Sequence, residues 1–292
     1  MTGTILKGIG GFYYVLAQDG QIYTLHAQSK IRRKKLKPFV GDKVEFEPGG
    51  EGEEGWLKAI LPRRTELKRP PVANINVLVI VVSASKPEAD LLLADRLLIY
   101  AQQNRLRSVI VANKADEDEL NAERICAQYL MSGFHAYNVS ARTGAGLELL
   151  KHELSSSVHA FAGQSGVGKS SLVNALYKVD LEVGDISDRI ERGRHTTREC
   201  CLIPVENGGA VMDTPGFSLL ENDIMDPASL KDIYPEFSPY RSLCRFEGCA
   251  HISEPDCAVK EALAQGKLDL GRYERYQLLY QEMKERWSKR YD

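Results

Sequence analysis

The sequence Gly163-Gln164-Ser165-Gly166-Val167-Gly168-Lys169-Ser170-Ser171 decides the fold of this chain. It matches the pattern G-x-x-x-x-G-K-[ST], in which the backbone N–H groups of a glycine-rich loop surround nucleotide phosphates. A short predicted strand at 158–162 precedes the motif and a predicted helix at 171–176 follows it. The pattern therefore predicts a nucleotide-binding α/β domain, with Lys169 on the β- and γ-phosphates and the Ser170 hydroxyl on Mg²⁺.

Length and composition indicate a multidomain globular protein. The 292 residues exceed what one hydrophobic core usually serves, so we expect two or three domains. With 43% hydrophobic and 27% charged residues and a net charge of -2, the composition excludes fibrous and disordered classes. The sequence has no long apolar run and no apolar stretch of the secretory type at residues 1–8. We expect a cytoplasmic protein, a monomer, with no membrane partner.

Residues 1–67 show the pattern of a small β-barrel. Short strands are predicted at 4–6, 12–15, 21–25, 43–46 and 56–60, separated by Gly, Asp-Gly and Pro-Gly-Gly turns. Five such strands in about 65 residues are compatible with an OB-fold, whose open face and loops commonly bind oligonucleotides. We therefore expect an N-terminal OB-fold domain over residues 1–67.

The loop between the third and fourth predicted strands is strongly basic. Its cationic residues are Lys30, Arg32, Arg33, Lys34, Lys35 and Lys37. Such a cluster can neutralise several backbone phosphates and favours RNA binding, whereas the alternative is a solvated loop balanced by the acidic residues at 51–54. The strands also carry the aromatic residues Phe12, Tyr13, Tyr14 and Tyr23. These rings either stack on bases or belong to the core of the barrel.

A second domain is expected over residues 68–219. The stretch Arg69-Pro70-Pro71 marks the boundary, because paired prolines do not continue a strand or helix. The run 75–82 is almost continuously apolar, as a strand buried on both faces requires. Helical periodicity at 91–103 and 120–131 alternates with predicted strands at 108–112 and 136–139. This alternation is typical of a parallel α/β sheet.

Two short motifs ahead of the phosphate loop indicate recognition of guanine. Asn113-Lys114-Ala115-Asp116 has the form N-K-x-D and follows a predicted strand, where open α/β sheets place ligand contacts. The Asp116 carboxylate can accept hydrogen bonds from N1 and N2 of guanine, a pair of donors that adenine lacks. Ser140-Ala141-Arg142 follows the next predicted strand and can present a backbone N–H to guanine O6.

With these motifs the sequence resembles the translation-factor-type GTPases, in altered order. Those enzymes begin with the phosphate loop and end with the base-recognition motifs, whereas here 113–116 and 140–142 precede 163–171, as in a circular permutation. The resemblance implies a switch I segment at Gly193-Arg194-His195-Thr196-Thr197-Arg198 and a switch II motif at Asp213-Thr214-Pro215-Gly216. It implies that Thr197 binds Mg²⁺, with Thr196 as the alternative. Asp213 would then hold a Mg²⁺-bound water, and the Gly216 amide would contact the γ-phosphate.

Phe217 distinguishes this sequence from Ras-like GTPases, which often place at that position the glutamine that orients the attacking water. We expect slow unassisted hydrolysis. His195 is the candidate for the missing group, because a neutral imidazole can accept a hydrogen bond from water. The alternative is a solvent-exposed histidine. The expected catalytic residues are His195, Lys169 and Thr197.

The third region, 220–292, contains Cys244-x4-Cys249-x-His251-x5-Cys257. Three thiolates and one imidazole complete a tetrahedral shell, so we expect a structural rather than catalytic zinc ion in a C-terminal helical domain. The other cysteines, Cys126, Cys200 and Cys201, lie on predicted regular elements and are expected to be packing residues.

The C-terminal helix has two predicted faces. A stripe of large side chains, predicted to face the core, consists of Tyr276, Tyr280, Met283 and Trp287. Beside it run the basic residues Arg272, Arg275, Lys284, Arg286, Lys289 and Arg290. We expect these to form either a solvated face or an RNA contact.

A barrel, a permuted GTPase domain and a zinc domain together resemble the bacterial family of ribosome small subunit-dependent GTPases called RsgA, YjeQ or YloQ. The resemblance implies a GTPase that binds the 30S subunit and 16S rRNA, acts late in small-subunit maturation, and is stimulated by the 30S particle. Two alternatives remain. A nucleotide-gated RNA-binding module would not depend on hydrolysis. A small-molecule kinase would use the same phosphate loop, but N-K-x-D is foreign to that class.

Overall fold

The computed structural model of the protein describes residues 1–28, 37–50, 53–68, 70–178, 200–206, 208–213 and 225–290. The N-terminal strands are β1 (Thr2–Ile9), β2 (Phe12–Ala17), β3 (Ile22–Ala27), β4 (Lys43–Glu47) and β5 (Gly55–Ile60). They close into a barrel in the order β1-β2-β3-β5-β4, with β3 and β5 parallel. The predicted five-stranded OB-type barrel is confirmed.

Alternation along the strands fills the barrel. Residues of one face point inwards and form its core, which consists of Ile5, Val15, Ala17, Leu25, Val44, Phe46 and Leu57. The rings of Tyr13 and Tyr23 pack against this core from its margin. Of the two interpretations of these tyrosines, packing is therefore the better one.

A short hairpin joins the barrel to the rest of the chain. Its strands, β6 (Glu66–Lys68) and β7 (Pro71–Ala73), pair antiparallel across the turn that contains Pro70. Strand β6 ends at Lys68, before the two prolines, as expected. Pro71 nevertheless begins β7, since the first position of a strand tolerates a residue without an N–H. Leu67 and Val72 then join the same apolar cluster as Leu6 of the barrel. The hairpin thus packs the barrel against the following domain.

The second domain is built on a six-stranded sheet. Its strands are β8 (Val77–Ser83), β9 (Arg107–Asn113), β10 (His135–Asn138), β11 (Val158–Ala162), β12 (Cys201–Pro204) and β13 (Ala210–Asp213). The order is β10-β9-β8-β11-β13-β12, and only the edge strand β12 runs antiparallel to its neighbour. The predicted parallel α/β sheet is confirmed, and β11, which precedes the phosphate loop, lies at its centre.

Among the described residues, the helices that flank this sheet are α1 (Leu91–Gln103), α2 (Glu119–Met131), α3 (Leu147–Glu153) and α4 (Lys169–Tyr177). Helices α1 and α2 coincide with predicted helices to within a residue. The two-turn α3 was not predicted, because seven residues are too few for a clear apolar period. Separate apolar clusters lie on the two faces of the sheet.

The C-terminal region is helical around an aromatic core. Two 3-10 helices, Pro227–Ile233 and Pro235–Phe237, precede α5 (Ser238–Arg241), α6 (Ala258–Ala264) and α7 (Leu270–Ser288). Tyr234, Phe237 and Tyr276 pack ring against ring, with centroids 4.8 to 5.3 Å apart. Tyr276 and Met283 of the predicted stripe are buried, and Tyr280 packs against the same cluster.

The expectation for two of the arginines on α7 is wrong. Arg272 is only 2% exposed, and its guanidinium donates to Asp95 of α1 and Glu236 at 2.6 Å. Arg275 donates to the other Asp95 oxygen, also at 2.6 Å. These side chains therefore belong to an internal ionic network, because carboxylates on neighbouring elements accept charge-assisted hydrogen bonds from them there. Within the described part of the chain, no helix combines the length and apolarity needed to cross a bilayer.

Candidate nucleotide and metal sites

The phosphate-loop sequence leaves the carboxyl end of the central strand β11. Gly163, the first residue after the strand, has φ +139°, and a Cβ there would lie 2.1 Å from the Val81 carbonyl oxygen. Only glycine allows this close approach to β8. The loop then turns into α4, whose Leu172, Val173 and Leu176 are buried against the sheet. The strand–loop–helix arrangement of a phosphate-binding loop is therefore present.

Lys169 begins α4 and folds back over the loop. Its ammonium donates to the carbonyl oxygens of Gly163 and Gln164, both at 2.8 Å, and burial lowers its pKa. A lysine held across the loop in this way is positioned to offer its charge to an anion bound by the loop amides.

The N-K-x-D motif, 50 residues earlier in the chain, lies directly against this loop. The buried Asn113 side chain donates from Nδ2 to the Val167 carbonyl at 2.9 Å. Its Oδ1 accepts from the Ala141 backbone N–H at 3.1 Å. One amide thus joins the three sequence motifs, since it pairs with the phosphate loop on one side and with the Ser140-Ala141 loop on the other. Gly168 leaves room for it, because a Cβ there would lie 2.5 Å from Asn113 Nδ2.

Lys114 makes a second connection, which sequence reasoning did not find. Its ammonium donates to the Gly166 carbonyl at 2.9 Å and also to the Lys86 carbonyl. Lys86 lies in the loop between β8 and α1, and the Pro87 ring beside it faces Gly166. This loop carries no recognisable motif, so the sequence gives no indication that Lys114 contacts it.

Asp116 is held as a carboxylate at the rim of the site. The Ser140 hydroxyl, above all, and the Arg142 guanidinium, which forms an ion pair with it, keep the pKa of Asp116 below its usual value. Ser140 is fully buried and also accepts from the Thr143 N–H at 3.0 Å. The side chain that was predicted to recognise guanine is therefore ionised and oriented by the neighbouring loop.

The predicted magnesium, switch and RNA-binding residues lie partly inside and partly outside the described part of the chain. Asp213 ends β13, the parallel neighbour of β11, so it lies at the same edge of the sheet as the phosphate loop. Ser170 and Ser171 occupy the first turn of α4. Lys37 is described and exposed. The remaining predicted residues lie outside the described part of the chain: Lys30, Arg32, Arg33, Lys34, Lys35, His195, Thr196, Thr197, Gly216 and Phe217. The roles of all these residues stay predictions.

The four predicted zinc ligands converge. One ligand atom from each of Cys244, Cys249, His251 and Cys257 lies within 4.8 Å of the others. The distances from His251 Nδ1 to the sulfurs of Cys244 and Cys257 are 3.6 and 3.4 Å, and the two sulfurs are 3.9 Å apart. Tetrahedral zinc with ordinary Zn–S and Zn–N bonds requires edges of roughly 3.5 to 3.8 Å. The four donors therefore fit the ion in type, and the three distances among His251, Cys244 and Cys257 are close to the spacing it requires.

The cluster is largely buried and is bonded to the C-terminal helix. Burial raises the pKa of the Cys249 thiol to about 12 and lowers that of His251 to about 4. A bound cation reverses the cost for the thiols, since coordination favours the thiolate. The cluster is also tied to α7, because the Tyr273 hydroxyl donates to the His251 carbonyl at 2.6 Å and the Tyr276 hydroxyl donates to that of Ala250.

Comparison with known families gives two matches. The family model described as RsgA GTPase matches residues 60–223, and the model described as RsgA N-terminal domain matches residues 2–57. Among curated relatives, the small ribosomal subunit biogenesis GTPase RsgA of Agathobacter rectalis is 41% identical, over 98% of this chain and 99% of its own. The protein of the same name from Caldanaerobacter subterraneus subsp. tengcongensis is 42% identical, over 99% and 98%.

Solved structures agree with these matches. YjeQ from Thermotoga maritima superposes with a TM-score of 0.81 at 35% identity and covers 97% of this chain and 98% of its own. YloQ, described as a circularly permuted GTPase, gives 0.80 at 34% identity, with 98% and 95% covered. The similarity therefore extends over all three regions of the molecule.

Proposed function

This chain belongs to the RsgA family of GTPases, and from that premise we propose that it hydrolyses GTP in the service of small ribosomal subunit biogenesis. The observation that carries the nucleotide assignment is the Asn113 side chain, which bonds to Val167 of the phosphate loop and accepts from Ala141. This pair of contacts supports the assignment, because it holds the N-K-x-D and Ser140-Ala141 segments against the phosphate-loop segment. Relatives that carry the subunit's name over nearly the whole chain support the biological role.

The proposed nucleotide contacts follow from this arrangement. Asp116 would accept from N1 and N2 of guanine, Ala141 would donate to O6, and the amides of the phosphate loop with Lys169 would hold the phosphates. Ser170, at the start of α4, and Thr197 would hold Mg²⁺, which when bound neutralises charge on the β- and γ-phosphates. Asp213, at the same sheet edge, would orient a water of that ion, and Gly216 would contact the γ-phosphate.

We propose that the protein alone hydrolyses GTP slowly and that the 30S subunit stimulates this hydrolysis. Lys169 would stabilise the negative charge of the phosphoryl group in the transition state, and His195 would orient the attacking water in place of the glutamine that Phe217 replaces. If the subunit orders the segment that carries His195 and Thr197, stimulation follows without a change in the base contacts.

The proposed partners are the 30S subunit, its 16S rRNA and GTP or GDP. We also propose that the protein is a monomer and acts in the cytoplasm. The names of the relatives support the 30S subunit as a partner, and the basic run from Lys30 to Lys37 supports an RNA contact through phosphate neutralisation.

The proposed domains are residues 1–67, which would bind RNA, residues 68–219, which would hydrolyse GTP, and residues 220–292, which would hold the structural zinc ion. The separate matches to residues 2–57 and 60–223 support two distinct domains in this part of the chain and place the change between them near residue 60.

The decisive experiment measures GTP turnover by the full-length protein alone and with purified 30S, 50S and 70S particles. We expect slow release of phosphate that rises at least tenfold with 30S particles and little with 50S particles. If GTP binds and promotes association with the 30S particle while turnover stays at the basal rate, the protein acts as a nucleotide-gated binding module instead.

A further inference from the structure

The outer face of the barrel carries a row of aromatic rings that the barrel core does not use. Phe12 on β2 pairs in register with His26 on β3, and His26 pairs with Trp56 on β5. Side chains in one cross-strand row point to the same face of a sheet. The ring centroids of Phe12 and His26 are 4.4 Å apart, and those of His26 and Trp56 are 5.6 Å apart. The three rings form one surface, the aromatic row.

This surface is open to solvent. Trp56 is 49% exposed and the His26 side chain is 32% exposed, whereas Leu25 and Leu57, the next residues on the same two strands, are fully buried. The row therefore does not stabilise the barrel from within. Adjacent half-exposed rings on a regular strand surface are typical of a binding site, since their burial by a ligand is favourable.

The charges beside the row already have partners. The His26 ring contacts the Glu54 carboxylate, and Lys58 is paired with Glu47, the cross-strand neighbour of Trp56. The row therefore offers ring faces rather than free cations. An occupant that fits must supply flat, uncharged surfaces to this part of the barrel.

Single-stranded RNA has this chemistry. Its unpaired bases stack on aromatic side chains irrespective of sequence, whereas a double helix keeps its base faces covered. The cations that its backbone requires follow β3 closely in the sequence, because Lys30 comes three residues after the last residue of that strand, Ala27. The second and third strands of an OB-fold are also the face on which such barrels bind oligonucleotides.

We propose that the aromatic row of Phe12, His26 and Trp56 is a stacking platform for unpaired RNA bases. The proposal rests on the proposed function, because it gives the small-subunit RNA a contact on this barrel, and it specifies what that contact recognises. The rings of the row stack on the bases, whereas basic residues outside the row neutralise the phosphates. Affinity at the row should accordingly depend on strandedness more than on base sequence.

The test uses the fact that Trp56 and Trp287 are the chain's two tryptophans. In the full-length Trp287→Phe protein, Trp56 is the sole indole reporter. We expect a short single-stranded RNA to quench its fluorescence on binding, and the blunt duplex of the same sequence to bind more weakly with little quenching. Adding Trp56→Leu should lower the affinity for labelled single-stranded RNA roughly 5- to 150-fold. The control Ile22→Ala removes another exposed apolar side chain of β3, four residues from His26, and should change nothing.

Unquenched Trp56 at saturating single-stranded RNA would overturn the proposal, as would unchanged affinity in the Trp56→Leu protein. So would a Trp56→Leu protein that loses affinity for intact 30S particles but not for naked RNA, because the occupant would then be a protein. Stimulation of GTP hydrolysis by 30S particles, measured on the same preparations, reports separately on the proposed function. Stimulation with unquenched Trp56 rejects only the aromatic row.

Discussion

Asp95 on α1 and Arg272 on α7 form a buried ion pair, 2.6 Å from Oδ1 to the guanidinium, between residues 177 positions apart. The Tyr129 hydroxyl donates to the same oxygen at 2.9 Å, and Arg275 donates to the other. Burial by itself lowers the pKa of Arg272, but the Asp95 and Glu236 carboxylates raise it above the ordinary value. One carboxylate of the GTPase domain thus holds two arginines of the C-terminal helix, and the two regions dock through it.

Replacing Asp95 should weaken this docking severely. Asp95→Ala leaves Arg275 without its carboxylate partner and leaves Arg272 with Glu236 alone, and we expect a loss of about 3–5 kcal/mol in unfolding free energy. Denaturant unfolding followed by circular dichroism measures it. Arg96→Ala is the matched control, since Arg96 on the same helix pairs with Glu282 of α7, but these side chains are 37% and 46% exposed. That variant should lose about 1 kcal/mol or less. Equal losses would contradict the assignment.

Asp116→Asn should lower GTP affinity by on the order of 3 kcal/mol, because guanine loses a charged acceptor for two donors. Isothermal titration calorimetry measures the change, and xanthosine nucleotides should be bound better than by the unaltered protein. The neighbouring Glu117, whose carboxylate accepts from the Ser85 hydroxyl, provides the control Glu117→Gln. If Asp116→Asn binds GTP as Glu117→Gln does, Asp116 does not recognise the base.

The zinc assignment predicts metal in the purified protein and dependence of the C-terminal fold on it. We expect one zinc ion per chain by inductively coupled plasma mass spectrometry, lost in Cys249→Ser. A chelator should unfold the C-terminal region first, because the free energy of zinc binding contributes to the folding of the segments that carry the ligands. Cys126→Ser is the control, since this buried cysteine lies on α2, outside the cluster. Its zinc content should be unchanged. Equal zinc in both variants would rule the site out.

His195→Ala should separate binding from turnover. We expect GTP affinity and 30S association close to those of the unaltered protein, with most of the 30S-stimulated kcat lost, because the imidazole acts on the attacking water rather than on the bound nucleotide. Lys169→Ala, by comparison, should lose nucleotide affinity as well. Full stimulated kcat in His195→Ala would remove His195 as the water-orienting residue and leave the GTPase assignment intact.

His159 on β11 should make stability depend on pH. It is buried, with Nε2 2.8 Å from the Tyr177 hydroxyl and Nδ1 3.1 Å from the Ser157 hydroxyl, and burial lowers its pKa to about 4. In the unfolded chain the His159 imidazole takes up a proton near pH 6.5, whereas in the folded protein it does so only near pH 4. The contribution of the neutral imidazole to the unfolding free energy is therefore complete above pH 6.5 and declines as the pH falls to about 4. This decline amounts to about 3 kcal/mol.

Unfolding free energies at several pH values between 7 and 4 test this expectation. The His159→Gln protein should lose less stability over that interval than the unaltered protein, whatever its stability at pH 7. The exposed His152 on α3 supplies the control, because His152→Gln should leave the pH dependence as it is. An unchanged slope in His159→Gln would contradict the prediction.

Several parts of the molecule were predictable because their information is local. The helix at Leu91–Gln103 and the barrel strands follow from apolar periodicity, and the zinc ligands follow from the spacing of four donors within fourteen positions. The phosphate loop and the N-K-x-D motif follow from backbone and base chemistry that only a few residue types satisfy. For these elements, residue type and spacing are sufficient.

Other features depended on the partner that folding supplies. Arg272 and Arg275 have the spacing of an exposed helical face, yet both are internal, because Asp95 and Glu236 come from distant segments. Lys114 uses carbonyls of Lys86 and Gly166, which have no sequence signature, since any residue has a carbonyl. The short α3 has too few residues to show a period.

The sequence by itself therefore determined which chemical groups this protein has for phosphate, guanine and zinc, and the order in which the chain presents them. Only the tertiary structure decided which of these groups meet. Asn113 reaches Val167 because β9 and β11 flank β8 in one parallel sheet, so their carboxyl ends open at the same edge. Asp95 neutralises two arginines because α7 packs on α1. Both contacts join residues far apart in sequence, and an ion pair or hydrogen bond depends on distance in space, which residue order alone does not specify.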